Sequence, residues 1–362
     1  MKIKNIFFAA ILVLAGFSCS MEDDAIMNDV EKGIEEATEA YTVLDFGVAF
    51  NEMATKASTT VVPGEDRPAT GDENNDEKKI SEVSVFLLED GKVIGILIPQ
   101  NRNQVSSNSD GSITLKDLKF VTKYKTNRTL EAHVVINGNQ FLKNINIGDA
   151  QSALNQQISG CLSADQLIKY GSTRIVFGKD ITNSYSSPSV AENNPTTILV
   201  KVSHVAARLD FSQFDVTLKG FEGDLTVVFD EAKFVNLQQN GKIVEGDASV
   251  NVKDGAFLNR SNRIGTRWTD MGTAYGYANQ YKQDSKTNTA LYVKFTVDGR
   301  TFEKTYPINP AGITKEVDHN GIKGGYLYDI KVRWTITPDW GDSTIEFYTR
   351  DWVHNSIPEI VL

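Results

Sequence analysis

The stretch YLYDIKVRWTI, residues 326–336, decides the fold class of this chain. Every second position is apolar or aromatic, and Asp329, Lys331 and Arg333 stand between those positions. A period of two is typical of a β-strand that buries one face and exposes the other. The stretch 291–297 alternates in the same way, which predicts a second strand of this kind.

Outward from these two stretches, short alternating segments recur along most of the chain. They are residues 44–50, 83–87, 93–98, 113–118, 130–136, 174–177, 198–202, 205–211, 225–229, 232–237 and 344–348. Asp90-Gly91 predicts a tight hairpin turn between two of them. Residues 148–171 show loose helical spacing, whereas 250–288 are Gly- and Asn-rich and predict a long loop. Many short strands separated by turn residues predict an all-β protein made of antiparallel β-sandwiches.

The length of 362 residues predicts two tandem domains rather than one. The Ser-, Asn- and Pro-rich stretch 182–197 is the expected boundary, with an N-terminal sandwich in residues 41–197 and a C-terminal sandwich in 198–362. Residues 57–79 combine low hydrophobicity with the acidic run DENNDE, which predicts an exposed, disordered loop.

Residues 1–18 are predicted to be a lipoprotein signal peptide. Lys2 and Lys4 precede an apolar run, residues 6–14, that is too short to span a bilayer. Cys19 stands at the junction, where a thiol is the usual acceptor for a diacylglycerol, so Cys19 is the expected lipidation site. Acyl chains such as palmitate would hold the precursor to the outer membrane, and residues 19–40 would form an acidic tether. The alternative is an ordinary secretory signal with a chance Cys.

The charge and cysteine content restrict the partners. A net charge of −10 at pH 7, without a clustered basic patch, argues against nucleic acid. Only Cys19 and Cys161 are present, so an acylated Cys19 leaves Cys161 alone and no intrachain disulfide is expected.

The sequence gives little support for catalysis. The histidines, His133, His204, His319 and His354, form no pair with metal-ligand spacing. Nucleophile-elbow, phosphate-loop and dinucleotide motifs are also absent from the sequence, so we expect no enzyme, no metal and no cofactor. Six aromatic residues leave a sugar-stacking platform as an alternative, although Trp334 lies on an apolar strand face: Trp268, Tyr275, Tyr277, Trp334, Trp340 and Trp352.

Several short blocks then follow one another in a characteristic order. They are Cys19 with the acidic residues after it, the strand and basic residue of 41–56, KISEVSVF at 79–86, NRTLEAHVVING at 127–138, KVSHVAARL at 201–209, GYLYDIKV at 325–332 and RDWV at 350–353. In order and spacing these blocks resemble the fimbrillins, the type V pilins of Bacteroidetes that include FimA-like and Mfa-like subunits. The resemblance covers essentially the whole chain and implies two transthyretin-like sandwiches.

The resemblance also implies a mechanism of assembly. In the family, a trypsin-like or arginine-specific protease cuts a lipidated precursor after its first strand, and the C-terminal strand of a neighbouring subunit fills the vacated place. By position Lys56 matches the cleavage point, with Arg67 as the fallback. The removable strand, within residues 41–56, would bury Leu44, Phe46, Val48 and Phe50. The donor strand, about 343–362, would present Ile345, Phe347, Trp352, Ile357, Ile360 and Leu362.

The expected function is a structural stalk subunit of a cell-surface fimbria that supports adhesion. Its expected partners are other copies of itself, other fimbrial subunits, the maturation protease and a host or bacterial surface receptor. The alternatives are an accessory, tip or anchor pilin, or a surface glycan-binding lipoprotein of a nutrient-uptake system. A hydrolase is disfavoured because no nucleophile or metal motif is found in the sequence.

Overall fold

The computed structural model describes residues 39–50, 75–109, 112–255, 263–310, 319–340 and 342–351, the last range as backbone only. Within these ranges the strands are β1 (Tyr41–Phe50), β2 (Val83–Glu89), β3 (Lys92–Leu97), β4 (Val105–Ser107), β5 (Ile113–Lys123), β6 (Thr129–Ile136), β7 (Gln157–Ser159), β8 (Lys169–Val176), β9 (Thr196–His204), β10 (Ala207–Leu218), β11 (Val227–Val235), β12 (Leu237–Gln238), β13 (Asn240–Lys242), β14 (Val252–Lys253), β15 (Arg263–Ile264), β16 (Arg267–Gly276), β17 (Ala290–Val297), β18 (Arg300–Pro307), β19 (Tyr326–Ile336) and β20 (Asp342–Asp351).

The helices in the described ranges are short. They are α1 (Asn139–Leu142), α2 (Pro188–Glu192) and single 3₁₀ turns at Asn75–Lys78, Arg102–Gln104, Gln151–Leu154 and Ala164–Gln166. The predicted all-β fold is therefore confirmed. Most strand pairs are antiparallel as predicted, but β1 runs parallel to β9 and β10 runs parallel to β19. Alternation along a strand does not encode its direction relative to a neighbour, so the sequence pattern could not predict these two pairs.

The first half of the chain forms a single hydrogen-bonded sheet with the order β3-β2-β6-β8-β9-β1-β5-β4. Its two parts are joined weakly, since β8 and β9 pair only through Lys169 with His204 and Tyr170 with Ser203. A Cβ atom on Gly171 would lie 1.8 Å from the Lys201 carbonyl oxygen, so only glycine allows the backbones to approach here. The two parts share one apolar core, which contains Val85 and Val134 from one and Phe46 and Leu115 from the other.

The second half forms two four-stranded sheets, β16-β10-β19-β20 and β15-β11-β17-β18. A second apolar core lies between them and is dominated by aromatic rings. Phe214 lies at its centre, with its ring centroid 5.3 Å from those of Trp268 and Phe295. The alternation of residues 326–336, from which the fold class was predicted, places Ile330, Val332 and Ile336 fully inside the protein.

A third apolar cluster joins the two halves. It contains Phe86, Leu142 and Ile158 from the first half, and Ile243, Tyr277 and Leu327 from the second. The strands β7 and β13 also pair across this junction. The halves are therefore fastened by a buried core and by backbone hydrogen bonds.

Four expectations need correction in detail. Residues 198–204, assigned by sequence to the second domain, belong to β9 and pair with β1 in the first sheet; the two-domain division itself stays a prediction. Residues 148–171 form no long helix, because two 3₁₀ turns, β7 and the start of β8 occupy them. The expected loop 250–288 contains β16. Within the expected loop 57–79, residues 75–78 form a 3₁₀ turn with a buried side chain, described below.

Candidate functional site

The strand β1 lies inside its sheet, with a neighbour on each side. From Leu44 to Phe50 it pairs parallel with β9, and along most of its length it pairs antiparallel with β5. We call the space that β1 fills between β9 and β5 the β1 slot. A missing β1 would leave unpaired backbone groups along both neighbours, and buried unpaired groups are costly. The slot therefore requires an extended segment in it.

The inward side chains of β1 are part of the first core. Leu44, Phe46 and Val48 are 0% exposed and Phe50 is 5% exposed. They pack in one cluster with residues of β2, β5, β6 and β9. Complete burial of such a side chain contributes about 1.5–3 kcal/mol, so the four contribute about 6–12 kcal/mol before conformational entropy is subtracted. The structure thus buries each side chain predicted for the removable strand.

Two features of β1 lower its fit to the slot. The register against β5 shifts between Leu44 and Phe46, so Asp45 lies at an irregularity. The Phe46 amide donates a hydrogen bond to Asp45 Oδ1 at 3.0 Å, yet burial still raises the pKa of the Asp45 carboxyl. The Thr42 hydroxyl is buried without a hydrogen-bond partner, which costs about 1–3 kcal/mol for such a group.

The raised pKa of Asp45 predicts a pH dependence of β1 retention. In the slot the carboxyl binds its proton more tightly than in a released strand, so β1 is held best at low pH. It loses this contribution as the pH rises from the ordinary Asp value of about 4 through the raised pKa. The neighbouring charges are Lys119, which lowers the pKa, and Asp117, which raises it.

We expect Asp45→Asn to slow the release of β1 from cut protein at pH 7 and to flatten this pH profile. The protein would be cut first, then brought to each pH, and the released fragment measured by gel filtration. Asp339→Asn is the matched control, because it removes an exposed carboxylate in the second half of the chain that does not act on the Asp45 pKa. Identical profiles for Asp45→Asn and the wild type would contradict the prediction.

Residues 51–74 lie outside the described residues, and with them the predicted cleavage sites Lys56 and Arg67. Cys19 also lies outside. The described chain resumes at the 3₁₀ turn Asn75–Lys78, which sequence reasoning treated as part of an exposed loop. Glu77 in this turn is 0% exposed, so the acidic run ends inside the protein.

Glu77 is held by residues from both halves of the chain. Its carboxylate accepts a hydrogen bond from Arg208 Nη1 at 3.0 Å and another from the Tyr275 hydroxyl. Its backbone carbonyl accepts from Lys169 Nζ at 2.8 Å. Burial, followed by the nearby Glu77 charge, raises the pKa of Tyr275, so the phenol stays a neutral donor. Arg208 also donates to Asp210 at 2.9 Å. We call these five residues the Glu77 cluster.

The sequence pattern does not predict the Glu77 cluster. Arg208 lies in the block 201–209 that resembles the fimbrillins, and Tyr275 is one of the aromatic residues proposed for sugar stacking. Glu77 differs from the other acidic residues of its run only by lying three residues before the buried Ile80.

At the other end of the described chain, β20 is an edge strand that pairs antiparallel with β19 over ten residues. The predicted donor residues Ile345 and Phe347 lie opposite Val332 and Ile330 in this ladder. The predicted donor residues Trp352, Ile357, Ile360 and Leu362 lie outside the described residues. The part of the expected donor strand that the structure describes is thus already paired within its own sheet.

The aromatic residues considered as a sugar platform are mostly interior. Trp268 is 5% exposed, Tyr277 is 2% exposed and Trp334 is 8% exposed, so they cannot stack on an external sugar. Tyr275 is committed to Glu77, and Trp340 packs on Phe302 at 5.8 Å between ring centroids. The platform proposed from sequence is therefore wrong for Trp268, Tyr277 and Trp334, and it stays a prediction for the partly exposed Tyr275 and Trp340. Trp352 lies outside the described residues.

In the described part of the chain, His133, His204 and His319 belong to no group of three His, Cys, Asp or Glu residues arranged to hold a metal. His354 is not described. None of the described helices has the length and apolarity needed to cross a membrane.

No protein-family model matches the chain, and no curated protein matches it. Solved structures do. A crystal structure of a candidate cell adhesion protein from Parabacteroides distasonis matches with a TM-score of 0.59 and 17% identity, covering 87% of this chain and 98% of that one. The chain has the fold of this adhesion protein.

A second candidate adhesion protein from the same species matches with a TM-score of 0.50 and 13% identity, covering 87% of this chain and 99% of that one. A FimA fimbrilin from Porphyromonas gingivalis is also among the neighbours, with a TM-score of 0.48, 15% identity, and the same 87% and 99% coverage. The resemblance predicted from the sequence is thus confirmed as a likeness of fold.

Proposed function

We propose that this chain is a structural subunit of a cell-surface fimbria that polymerises by exchanging β1 for the C-terminal segment of a second copy. The observation that carries the proposal is the position of β1. It is an inner strand with four buried apolar side chains, and its Phe50 end leads directly into the segment that contains Lys56 and Arg67. A cut in that segment would leave β1 held only by non-covalent contacts.

Replacement by another strand restores what the loss of β1 removes. Backbone hydrogen bonds to β5 and β9 supply affinity for any extended segment, and the apolar pockets select its register. Eleven residues follow β20, 352–362, against ten in β1, and they include Trp352, Ile357, Ile360 and Leu362. We assign the donor role to this segment, because β20 itself is paired with β19. Head-to-tail contacts of this kind extend into a filament.

The precursor would be an outer-membrane lipoprotein acylated at Cys19, matured by a trypsin-like or arginine-specific protease at Lys56. Its partners would be copies of itself and other fimbrial subunits, with a host or bacterial surface receptor as the target of adhesion. The burial of Trp268, Tyr277 and Trp334 favours this proposal over a glycan-binding lipoprotein, because those three rings cannot reach a sugar. An accessory, tip or anchor role belongs to the same assembly and differs only in whether the segment 352–362 is donated.

The exchange predicts that a covalent lock on β1 blocks assembly. Tyr41 and Tyr185 exchange two backbone hydrogen bonds of 2.8 Å. Paired residues of this kind have Cα atoms about 5.5 Å apart, within the range that a disulfide spans. We expect the double variant Tyr41→Cys/Tyr185→Cys, with Cys19 and Cys161 changed to Ser, to be cut by trypsin but to stay monomeric until a reductant is added.

The single variants Tyr41→Cys and Tyr185→Cys are the controls and should polymerise with or without reductant. Polymers would be detected as ladders that survive mild SDS. Ladders from the oxidised double variant would contradict the proposed function. So would wild-type protein that is cut, remains monomeric and binds a polysaccharide instead.

A further inference from the structure

Different parts of the chain cover the two ends of the outer face of β1. Val43 lies on the face opposite the buried row of Leu44 and Phe46, and it is absent from the core they share, yet it is 0% exposed. On the same face Gly47 is buried beside the Leu199 side chain, whereas Tyr41, Asp45 and Ala49 are partly exposed. A further segment of the chain therefore covers β1 at Val43.

The cover is residues 182–194, which we call the strap. Tyr185 lies beside β1 and exchanges two backbone hydrogen bonds of 2.8 Å with Tyr41. The helix α2 then packs against β1 and β5 with Ala191 fully buried, and the chain continues into β9. Lys119 on β5 donates to the Glu192 carbonyl at 3.0 Å, which fastens the strap on the far side of β1.

The strap is built to hold its own shape. The Ser187 side chain accepts a hydrogen bond from the Val190 amide at the start of α2, and Pro188 fits the first turn. Asn193 and Asn194 donate to the carbonyls of Ser189 and Val190 at 3.0 Å. The strap thus presents a defined surface to β1.

We propose that the strap is an outer wall of the β1 slot that grips whichever strand occupies it, first β1 and then the tail of a second copy. This inference rests on the proposed function. At the Tyr41 end the strap lies over the slot and is held there by backbone hydrogen bonds and by α2, whereas at Gly47 the outer face is covered by the Leu199 side chain. A strand therefore leaves and enters from the Phe50 end, which is the end joined to residues 51–74.

The wall also adds a requirement to the occupant. The inner row selects four apolar side chains, whereas the strap selects one residue on the opposite face, at the position of Val43, that can be fully enclosed. A charged residue there would be buried without a partner, which is strongly unfavourable.

The test is hydrogen exchange in the uncut precursor, followed by mass spectrometry. Ala191→Arg places a charge in the buried side of the strap, and Val190→Arg makes the same change at a neighbour that is 44% exposed. We expect Ala191→Arg to raise amide exchange about tenfold or more at residues 41–44 and to leave exchange at residues 46–50 unchanged. Local opening of the strap exposes only the Tyr41 end of β1. Val190→Arg should change neither. Equal behaviour of the two variants would overturn the proposal.

If Ala191→Arg also raises exchange in β6, the first half of the chain has unfolded in that variant. The variant Tyr185→Pro is then measured in place of Ala191→Arg. This variant removes the Tyr185 amide that donates to the Tyr41 carbonyl and so loosens the strap on β1; exchange should rise at residues 41–44 and not at residues 46–50. In cut wild-type protein, exchange should spread from Phe50 toward Tyr41; spread in the opposite direction would also overturn the proposal.

These measurements separate the strap from the proposed function. The uncut precursor tests the strap without any polymer. Failure of cut wild-type protein to release β1 would count against the exchange mechanism, whatever the strap variants show.

Discussion

A protein shortened after Asp351 is expected to fold, to lose β1 after cleavage and to form no polymer. The shortened protein keeps β20 and its ladder with β19, so the second half should retain its stability. What it lacks is residues 352–362, the segment assigned to fill the slot of the next copy. Without a donor, the cut subunit keeps an empty slot with exposed apolar pockets, and we expect assembly to fall to none on an SDS ladder.

The shortened protein also offers a more specific test in mixtures. It can accept a tail but cannot donate one, so each shortened subunit that joins a filament stops growth at its own end. Mixed with the full-length protein, it should shorten ladders in proportion to its share, and it should do so only after cleavage. A synthetic peptide of residues 352–362 should bind to cut protein and prevent growth.

The matched control is the 362-residue chain with Glu359→Gln as the single change, which keeps every apolar residue of the segment 352–362. Fibres built by the protein shortened after Asp351 would contradict the proposed donor. Such fibres, together with loss of assembly on removal of β20, would assign the donor role to β20 instead.

The second large effect is expected at the Glu77 cluster. Glu77→Ala removes the carboxylate that pairs with Arg208 and Tyr275, and leaves the guanidinium mostly buried with Asp210 alone. Breaking one partner of a buried ion pair costs about 3–5 kcal/mol, since the remaining charge loses its compensation. We expect the free energy of unfolding to fall by this amount, measured by urea denaturation, with a clear fall in Tm.

Two variants define how Glu77 acts. Asp76→Ala changes an exposed carboxylate next to Glu77 and should shift stability by less than about 0.5 kcal/mol. Glu77→Gln keeps an acceptor for Tyr275 but loses the charge, so it should lie between Asp76→Ala and Glu77→Ala. A Glu77→Ala protein as stable as Asp76→Ala would show that the cluster contributes nothing to the fold.

The sequence predicted the parts of this fold that alternation encodes. Leu44 to Phe50 and Tyr326 to Ile336 alternate strictly, and both lie in strands with the expected face buried. It missed β16, where Gly272 and the two threonines Thr269 and Thr273 interrupt the pattern. It also missed β18, an edge strand whose buried residues, Phe302 and Tyr306, lie four apart rather than two.

One part of the candidate site could be predicted from the sequence, and two parts could not. The buried row of β1 follows from periodicity, since each of its residues is apolar and spaced by two. The strap and the Glu77 cluster do not, because each depends on residues distant in sequence that meet only in the folded chain, such as Tyr41 with Tyr185 or Glu77 with Arg208. A short polar segment such as 182–194 is typical of an ordinary connection, and its single buried alanine gives no signal.

The cluster that joins the two halves has a mechanical consequence for a fimbria built as proposed. Each subunit would be held by its neighbours at the β1 slot in its first half and through residues 352–362, which follow β20, in its second. Tension along the fibre would therefore pass through the two-residue link between β9 and β10 and would be shared with the apolar contacts among Phe86, Ile158 and Tyr277 and with the Glu77 cluster. A strand pulled lengthwise from the slot would have to shear its backbone ladder as a whole, so each joint between subunits would resist tension with all of its hydrogen bonds together.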